Sequence, residues 1–497
     1  MRVAPALDVA AEQFRERVVV GVKGGSRFVG LFATLEPQGV RLLALLSLHG
    51  KLAYEATVLP PGATRYPSLT PLVPAASWYE REICDLFGIL PEGHPRPGPL
   101  LWPGKPDGAA PLVASTDGQR ELALTPVPPH LEGEGVFTLP YGPVRSGVFE
   151  AVGYLVETPG EDIPYLRPLV YYKHRGTERS FEGRSTDDGV LMAERYEGVA
   201  SVAHAMAYCQ AVEHLAQIEL PERAGLVRVV HAELERVANH LDSTARHTEA
   251  AGQAVAFARL SVHKERVQRL RAGLCGSRFG RGVVVPGGVS AMLQLPGSEV
   301  LTTVDALQHA ITKDLRLLLA TPSFVDRLRG TGVLSTAVAT ERAALGPVGR
   351  GSGQAEDTRF SRPYAAYGQL GYTPVASRTA GDALARQRVR DDEIAGSFHL
   401  VRQAVTQLAS LGEPRHQDDV RVPVGPAEGE AVATVEAPQG ELVYLVRSSL
   451  HGLDRVKVRS ASFHNLAFFH LAFPKDILTD FAFIEASFGL SMAGVSG

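Results

Sequence analysis

The run Pro221-Glu-Arg-Ala-Gly-Leu-Val-Arg-Val-Val-His-Ala-Glu-Leu-Glu-Arg-Val-Ala-Asn-His240, continued through Leu241 and Asp242 to His247, decides the fold. Val230, Leu234, Val237 and Leu241 recur at helical spacing and form one apolar seam, while His231, Glu235 and Asp242 lie on another face. A helix with such a seam needs partner helices, and helical character dominates from about residue 187 to 320, so a helical bundle is expected.

Just upstream, Arg195-Tyr-Glu-Gly-Val-Ala-Ser-Val-Ala-His204 and Ala-Met-Ala-Tyr-Cys-Gln-Ala-Val-Glu213 read as another helix. Glu197, Ser201, His204 and Tyr208 are spaced 4, 3 and 4 apart, which at about 100° per residue puts them within a narrow arc of one face. A carboxylate, a hydroxyl, an imidazole and a phenol in line could pass protons. A solvated or partner-facing polar stripe has the same spacing, and both readings stand.

Toward the N-terminus, Val18-Val-Val-Gly-Val22, Phe28-Val-Gly-Leu-Phe32 and Val40-Arg-Leu-Leu-Ala-Leu-Leu-Ser47 read as short strands of a small α/β unit. Trp78-Tyr-Glu-Arg-Glu-Ile-Cys-Asp-Leu-Phe87 reads as a helix capped by Ser77 and stopped at Gly88. Residues 91–129 are dense in Pro and Gly and read as a linker. Strands are expected over 137–170, with a turn at Glu157-Thr-Pro-Gly160, and again over 430–459; a helix is expected over 381–411.

The chain has 497 residues, and at roughly 100 to 200 residues per domain it has room for two to four units. A net charge of -4 gives no reason to expect nucleic acid as a partner. The cysteines Cys84, Cys209 and Cys275 form no C-x-x-C pair, which argues against a disulfide framework or a four-thiolate metal site. They read as core residues of a protein from a reducing compartment. No run approaches the roughly 18 apolar residues of a spanning helix, so a peripheral position is expected of any membrane association.

Arg145, Arg167, Lys173, Arg175 and Arg179 cluster in sequence with His174, and such a group could bind an anion or simply be surface charge. Gly346-Pro-Val-Gly-Arg-Gly-Ser-Gly353 is Gly-rich but lacks the Lys-Ser/Thr ending of a phosphate loop. No G-x-G-x-x-G unit for a nicotinamide is present, so NADH oxidation would belong to an assembly rather than to this chain.

Ser77-Trp-Tyr-Glu-Arg-Glu-Ile-Cys-Asp-Leu-Phe-Gly-Ile89 with Gly93-His-Pro95 resembles the C-type subunit of respiratory complex I. Lys173-His-Arg-Gly-Thr-Glu178, the 221–240 run and Arg455-Val-Lys-Val-Arg-Ser-Ala-Ser-Phe463 resemble the D-type subunit, itself related to nickel-iron hydrogenase large subunits. The fused chain is most similar to the large subunit of group 4 membrane-bound hydrogenases of the formate hydrogenlyase type. The resemblance implies an α+β multidomain fold. Residues 1–128 would be a C-type α/β domain with its Pro/Gly-rich linker, and 129–497 a D-type, hydrogenase-large-subunit-like domain with a small β region and a central helical bundle.

It also implies partners: an iron-sulfur small subunit of B type, membrane antiporter-like and H-type subunits, and a place on the cytoplasmic face of the membrane. Formate dehydrogenase, NADH or a ferredoxin are candidate electron donors. The hydrogenases take four thiolates from two C-x-x-C pairs, because nickel and iron need soft, deprotonated sulfur. Here Glu197 and Ala200 stand at the first pair, and Gly489-Leu-Ser-Met-Ala-Gly494 replaces the second. Complex I also has an acidic residue at the first position, so Glu197 resembles its solution.

The complex I quinone ligands, a hairpin histidine and a tyrosine, fall by register in Gly142-Pro-Val-Arg-Ser-Gly147, with Arg145, and on Thr186. No metal or cofactor of this chain's own is therefore expected. A cavity at the former metal site, lined by Glu197, Ser201, His204, Arg145, Arg175 and Asp480, with His174 and Thr186 nearby, would pass electrons from the partner cluster to quinone or another acceptor. The alternative is a scaffold or coupling role.

Overall fold

The computed structural model describes residues 1–3, 9–102, 110–112, 131, 133–145 and 150–497. Helix α1 (Ala11–Lys23) packs on an antiparallel meander of β1 (Arg27–Glu36), β2 (Gly39–Leu48) and β3 (Lys51–Leu59). Val18-Val-Val-Gly-Val22, expected as a strand, is the second half of α1. Its β-branched residues favour a strand, but Phe14 and Val18, four apart, bury one helix face, and Gly21 leaves room for Leu46.

A parallel pair, β4 (Arg65–Pro67) and β5 (Leu90–Glu92), flanks α2 (Ser77–Phe87). As expected, α2 ends at Gly88, left-handed at φ 72°. Ser77, however, is its first residue rather than its cap: Ala76 stands at the cap position without a side-chain bond. Part of the expected linker is packed, since Asp85 accepts the backbone N–H groups of Leu100, Leu101 and Trp102, and both leucines are buried. Residues 103–109 and 113–129 of that linker, and Ser146 and Gly147 of the hairpin, lie outside the described residues.

A second meander follows, β6 (Phe137–Tyr141), β7 (Gly153–Thr158) and β8 (Tyr165–Leu169). The helical region then comprises α3 (Thr186–Ala193), α4 (Ser201–Ala216), α5 (Glu222–Ala250) and α6 (Ala254–Cys275), a tiny hairpin of β9 (Val284–Val285) and β10 (Gly288–Val289), and α7 (Gly297–Leu319). Short helices α8 (Pro322–Leu328), α9 (Thr336–Glu341), α10 (Gly346–Arg350) and α11 (Thr358–Ser361) lead to α12 (Ala383–Leu411). A third meander, β11 (Gly429–Ala437), β12 (Gly440–Ser449) and β13 (Gly452–Arg459), carries α4 on one face. The chain continues in α13 (Ala461–Leu466), α14 (Phe481–Phe488) and α15 (Met492–Ser496).

The bundle is α5 with α6 and α12 against it and α7 behind them. The seam Val230, Leu234, Val237 and Leu241 is fully buried, but so are His231, Glu233, Glu235, Arg236 and His240. Buried charge is stable only when paired, and α5 supplies pairs at every turn. Glu233 Oε2 accepts from Arg236 at 3.2 Å, Arg359 at 3.1 Å and Ser397 at 2.6 Å, and His240 meets Glu393 at 2.7 Å.

The N-terminal meander does not stand apart. One face of β1 and β2, with Val29, Phe32, Leu43 and Leu45, packs on Val432, Val443 and Leu445 of the third meander. The other face shares a core with Phe463, Leu466, Phe481 and Phe488 from the C-terminal segment.

Candidate active site

The stretch expected as one helix from Arg195 divides at Ala200. Residues 195–200 form a turn, and α4 begins at Ser201. No side chain of the turn caps the helix; instead Glu235 of α5 accepts the N–H groups of Val202 and Ala203 at 2.9 and 3.0 Å. A carboxylate at the positive end of a helix satisfies its orphan donors and fixes where it starts. Glu197 is thus not on the helix face with Ser201, His204 and Tyr208.

It nevertheless reaches His204. Glu197 Oε2 lies 3.2 Å from His204 Nε2, and both residues are buried. His204 Nδ1 lies 2.8 Å from the Tyr444 hydroxyl on β12, and Tyr196 stacks on the imidazole with ring centroids 5.1 Å apart. Burial raises the Tyr444 phenol well above its ordinary value, and neighbouring Tyr196 adds to it. The hydroxyl therefore keeps its proton; a neutral imidazole facing an ionised Glu197 donates to it through Nε2–H and accepts the Tyr444 hydroxyl on Nδ1.

On its other side, Glu197 Oε1 accepts from Gln439 Nε2 at 3.0 Å. Gly494 leaves the space: a Cβ there would stand 2.4 Å from Glu197 Oε2. The line is Gln439, Glu197, His204, Tyr444.

The other expected members lie elsewhere. Tyr208 donates to the carbonyl of Thr186, the first residue of α3, at 2.8 Å. Ser201 Oγ donates to the Gly198 carbonyl at 3.4 Å. Arg175 donates to the carbonyls of Tyr196 at 2.6 Å and Ala493 at 3.2 Å, bracing the turn from behind. His174 meets the Ser496 carbonyl at 2.6 Å and lines a separate cavity of about 80 Å³ with Glu178, Arg455 and Lys457. Asp480 pairs with Arg327 at 3.2 Å.

Next to the line is a cavity of about 200 Å³, bounded by the Gly198–Val199 turn, Asn239 to Arg246 of α5, the end of α14, residues 489–492, and Arg145, Tyr154 and Gln439. Of the lining expected from sequence, Arg145 is present and Glu197, Ser201, His204, Arg175 and Asp480 are not. Gln439, which donates to Glu197, is itself a lining residue. Arg145 donates to both oxygens of Glu485 at 2.8 Å, and the Tyr154 hydroxyl donates to Glu485 Oε1 at 3.0 Å.

Sequence reasoning missed Gln439, Tyr444 and Glu485. Gln439 carries one local signal, a Pro-Gln-Gly turn between two strands; Tyr444 looks like any strand tyrosine.

Comparisons with known proteins agree with this architecture. The family described as respiratory-chain NADH dehydrogenase, 49 Kd subunit, matches residues 251–427 and 417–496; the corresponding 30 Kd subunit matches 31–120; and nickel-dependent hydrogenase matches 175–242. The carbon monoxide-induced hydrogenase of Rhodospirillum rubrum is 33% identical over 321 residues, covering 64% of this chain and 87% of the relative. The chain belongs to the family of complex I 49 Kd subunits and nickel-dependent hydrogenase large subunits.

Other members of this family include formate hydrogenlyase subunit 5 of Escherichia coli, 28% identical over 411 residues, 80% of this chain and 71% of the relative. The C/D fusion of the NADH-quinone oxidoreductase of Methylococcus capsulatus is 28% identical over 482 residues, 88% of this chain and 82% of the relative. These relatives are named as parts of larger enzymes, and the family works in multisubunit complexes. No helix among the described residues is long and apolar enough to cross a membrane.

A nickel-iron centre of the hydrogenase members does not fit the residues present. Cys84 is on α2, Cys209 is buried on α4 among Glu213 and Arg228, and the Cys275 thiol donates to the carbonyls of Arg271 and Ser277. None of the three lines the cavity beside Glu197. Four thiolates cannot converge there.

Proposed function

We propose that this chain is the large subunit of a membrane-associated, complex I-like oxidoreductase that works without a nickel-iron centre. A partner iron-sulfur protein passes electrons to a quinone or another acceptor in the 200 Å³ cavity, with coupled proton movement. An iron-sulfur small subunit, antiporter-like and H-type membrane subunits, and a cytoplasmic-face location go with this reading, and formate dehydrogenase is a candidate donor.

One observation carries it: the unbroken buried hydrogen bonds from the cavity wall at Gln439 through Glu197 and His204 to Tyr444. Reducing a quinone takes two electrons and two protons. A proton held on Glu197 Oε2 or His204 Nε2 compensates the charge that electrons bring, one amide behind the cavity wall. Groups that move protons in this way contribute roughly 10² to 10⁴ in rate.

The test is the purified complex in membrane vesicles with Glu197→Gln and His204→Ala. The expected outcome is normal assembly with acceptor reduction and proton movement lowered at least about tenfold. Unchanged electron transfer and pumping would sink the line. Stoichiometric nickel in the purified complex would overturn the metal-free reading.

The non-catalytic coupling or scaffold role draws on a different observation. At the two positions where complex I has quinone ligands, Arg145 is engaged by Glu485, and the Thr186 carbonyl by Tyr208. Full activity-independent assembly, with no acceptor reduction by the native complex, would favour that role.

A further inference from the structure

The cavity of about 200 Å³ is bounded along one side by α5, which presents Asn239, Asp242, Ser243 and Arg246 at helical spacing. Most polar groups of the wall are already engaged. Glu485 takes Arg145 and Tyr154, and Asp242 accepts from Lys264 at 2.6 Å and Arg246 at 3.3 Å. Glu150 Oε2 accepts the Ser491 hydroxyl at 3.0 Å and the Ala493 N–H at 2.9 Å, and its Oε1 lies 3.9 Å from Lys173 Nζ. Gln439 gives Nε2 to Glu197, and its Oε1 is closed off from water. With each carboxylate matched to a cation, the wall suits a neutral ligand better than an ionic one.

Asn239 and Ser243 are different. Neither side chain has a hydrogen-bond partner among the described residues, and their polar atoms, unlike Gln439 Oε1, are not closed off from water. Ser243 is otherwise buried, at 5% exposure, and Gly489 in the same wall is what keeps its hydroxyl open. A Cβ on Gly489 would stand 3.1 Å from Ser243 Oγ and 2.8 Å from Arg390 Nη2. Arg390 is buried and donates to the carbonyls of Ser487 at 2.6 Å and Arg386 at 3.5 Å; burial lowers its pKa to about 10, which leaves it charged at neutral pH. The corner at Gly489 is therefore positive and attracts a ligand oxygen that carries partial negative charge. Asn239 and Ser243 are one helical turn apart, with Cβ atoms about 5–6 Å from each other, so an amide N–H and a hydroxyl O–H can reach one acceptor between them. The Asn239 amide, with no partner to fix it, turns to suit.

We propose that Asn239 and Ser243 form the polar end of the cavity and together donate to one carbonyl oxygen of a neutral, quinone-class ring. The apolar part of the wall, with Leu466, Phe469, Phe488 and Met492, takes the ring itself. The inference rests on the reading that the cavity takes a quinone-class ligand, and it names the two side chains that hold the headgroup.

The experiment is equilibrium dialysis of the full chain with duroquinone, whose fully substituted ring resists thiol addition, and with durene, the same methylated ring without oxygens. Ser243→Ala and, separately, Asn239→Leu are each expected to weaken duroquinone binding about fivefold, as loss of one neutral hydrogen bond does, and to leave durene binding unchanged. Infrared difference spectra of duroquinone on the native chain are expected to show one carbonyl stretch moved to lower frequency and the other near its free value. Ala486→Phe, which fills the cavity, abolishes binding of both probes. Duroquinone binding unchanged by either substitution, an equal loss of both probes, or unshifted carbonyl stretches on the native chain overturns the roles of Asn239 and Ser243 and leaves the cavity reading standing. Binding of neither probe to the native chain, or binding that survives Ala486→Phe, overturns both. The native spectrum is decisive even where a variant fails to fold.

Discussion

At Glu197, two nitrogens set the chemistry: Gln439 Nε2, 242 residues away, and His204 Nε2, seven residues on, each at a different carboxyl oxygen. The residue types are legible in the sequence, and Glu197 and His204 do meet. What the spacing could not supply is the next partner, since Tyr444 is 240 residues from His204. Nor could it show that Tyr208 turns away to Thr186. At the same scale, burial and the nearby Arg271 hold the His231 imidazole down to about 3, well below the value near 6.5 it has in an unfolded chain. The unfolded state then binds a proton between pH 6.5 and 3 that the folded state refuses, so stability is present above 6.5 and lost as pH falls. His247, lowered to about 3, and His240, lowered to about 4, both chiefly by burial, act in the same direction. Each can contribute up to about 1.4 kcal/mol per pH unit. Burial pushes Asp391 up to about 7, which opposes them, losing stability as pH rises from about 4 to 7. Melting temperature measured from pH 7 to pH 5 is expected to fall, and His231→Gln to make that fall shallower; an unchanged slope would remove His231 from the account.

Elements place these residues. The start of α4 is set by Glu235 from α5 rather than by its own sequence, which is why a helix drawn from Arg195 runs six residues too early. The Gly-rich stretch at 346–353 illustrates the same point. Gly-rich but without the Lys-Ser/Thr ending of a phosphate loop, it forms the short helix α10 and a buried turn that grips the β11–β12 hairpin. Gly346→Ala must both adopt a left-handed backbone and clash with the Gln439 carbonyl. The expected cost is about 2–4 kcal/mol. It should appear in chemical denaturation together with weakened ligand binding in the cavity. A neutral substitution would show that the hairpin tip is not clamped.

Across the whole molecule, buried ion pairs join the N-terminal meander to the rest. Glu441 on β12 accepts from Arg27 of β1 at 2.7 Å and also from Arg362 and Arg459, which together hold its carboxyl well below the usual range despite burial. Lys457 of β13 bridges Glu82 of α2 at 2.7 Å and Glu178 at 2.8 Å. Removing one partner from a buried cluster leaves uncompensated charge and costs about 3–5 kcal/mol. Glu441→Gln is therefore expected to lower the melting temperature in a single cooperative transition; a transition confined to the N-terminal region would show the joint to be loose. The apolar seam of α5, most of the strands, the family and the presence of only three cysteines follow from the amino-acid sequence alone, because each is written in local spacing or residue type. Tertiary packing was needed to place the start of α4, to make Val18 to Val22 helical, to bring Gln439 to Glu197, and to choose which groups pair in the core. Those outcomes depend on side chains brought together from far along the chain, where burial forces every charge and every helix end to find a partner.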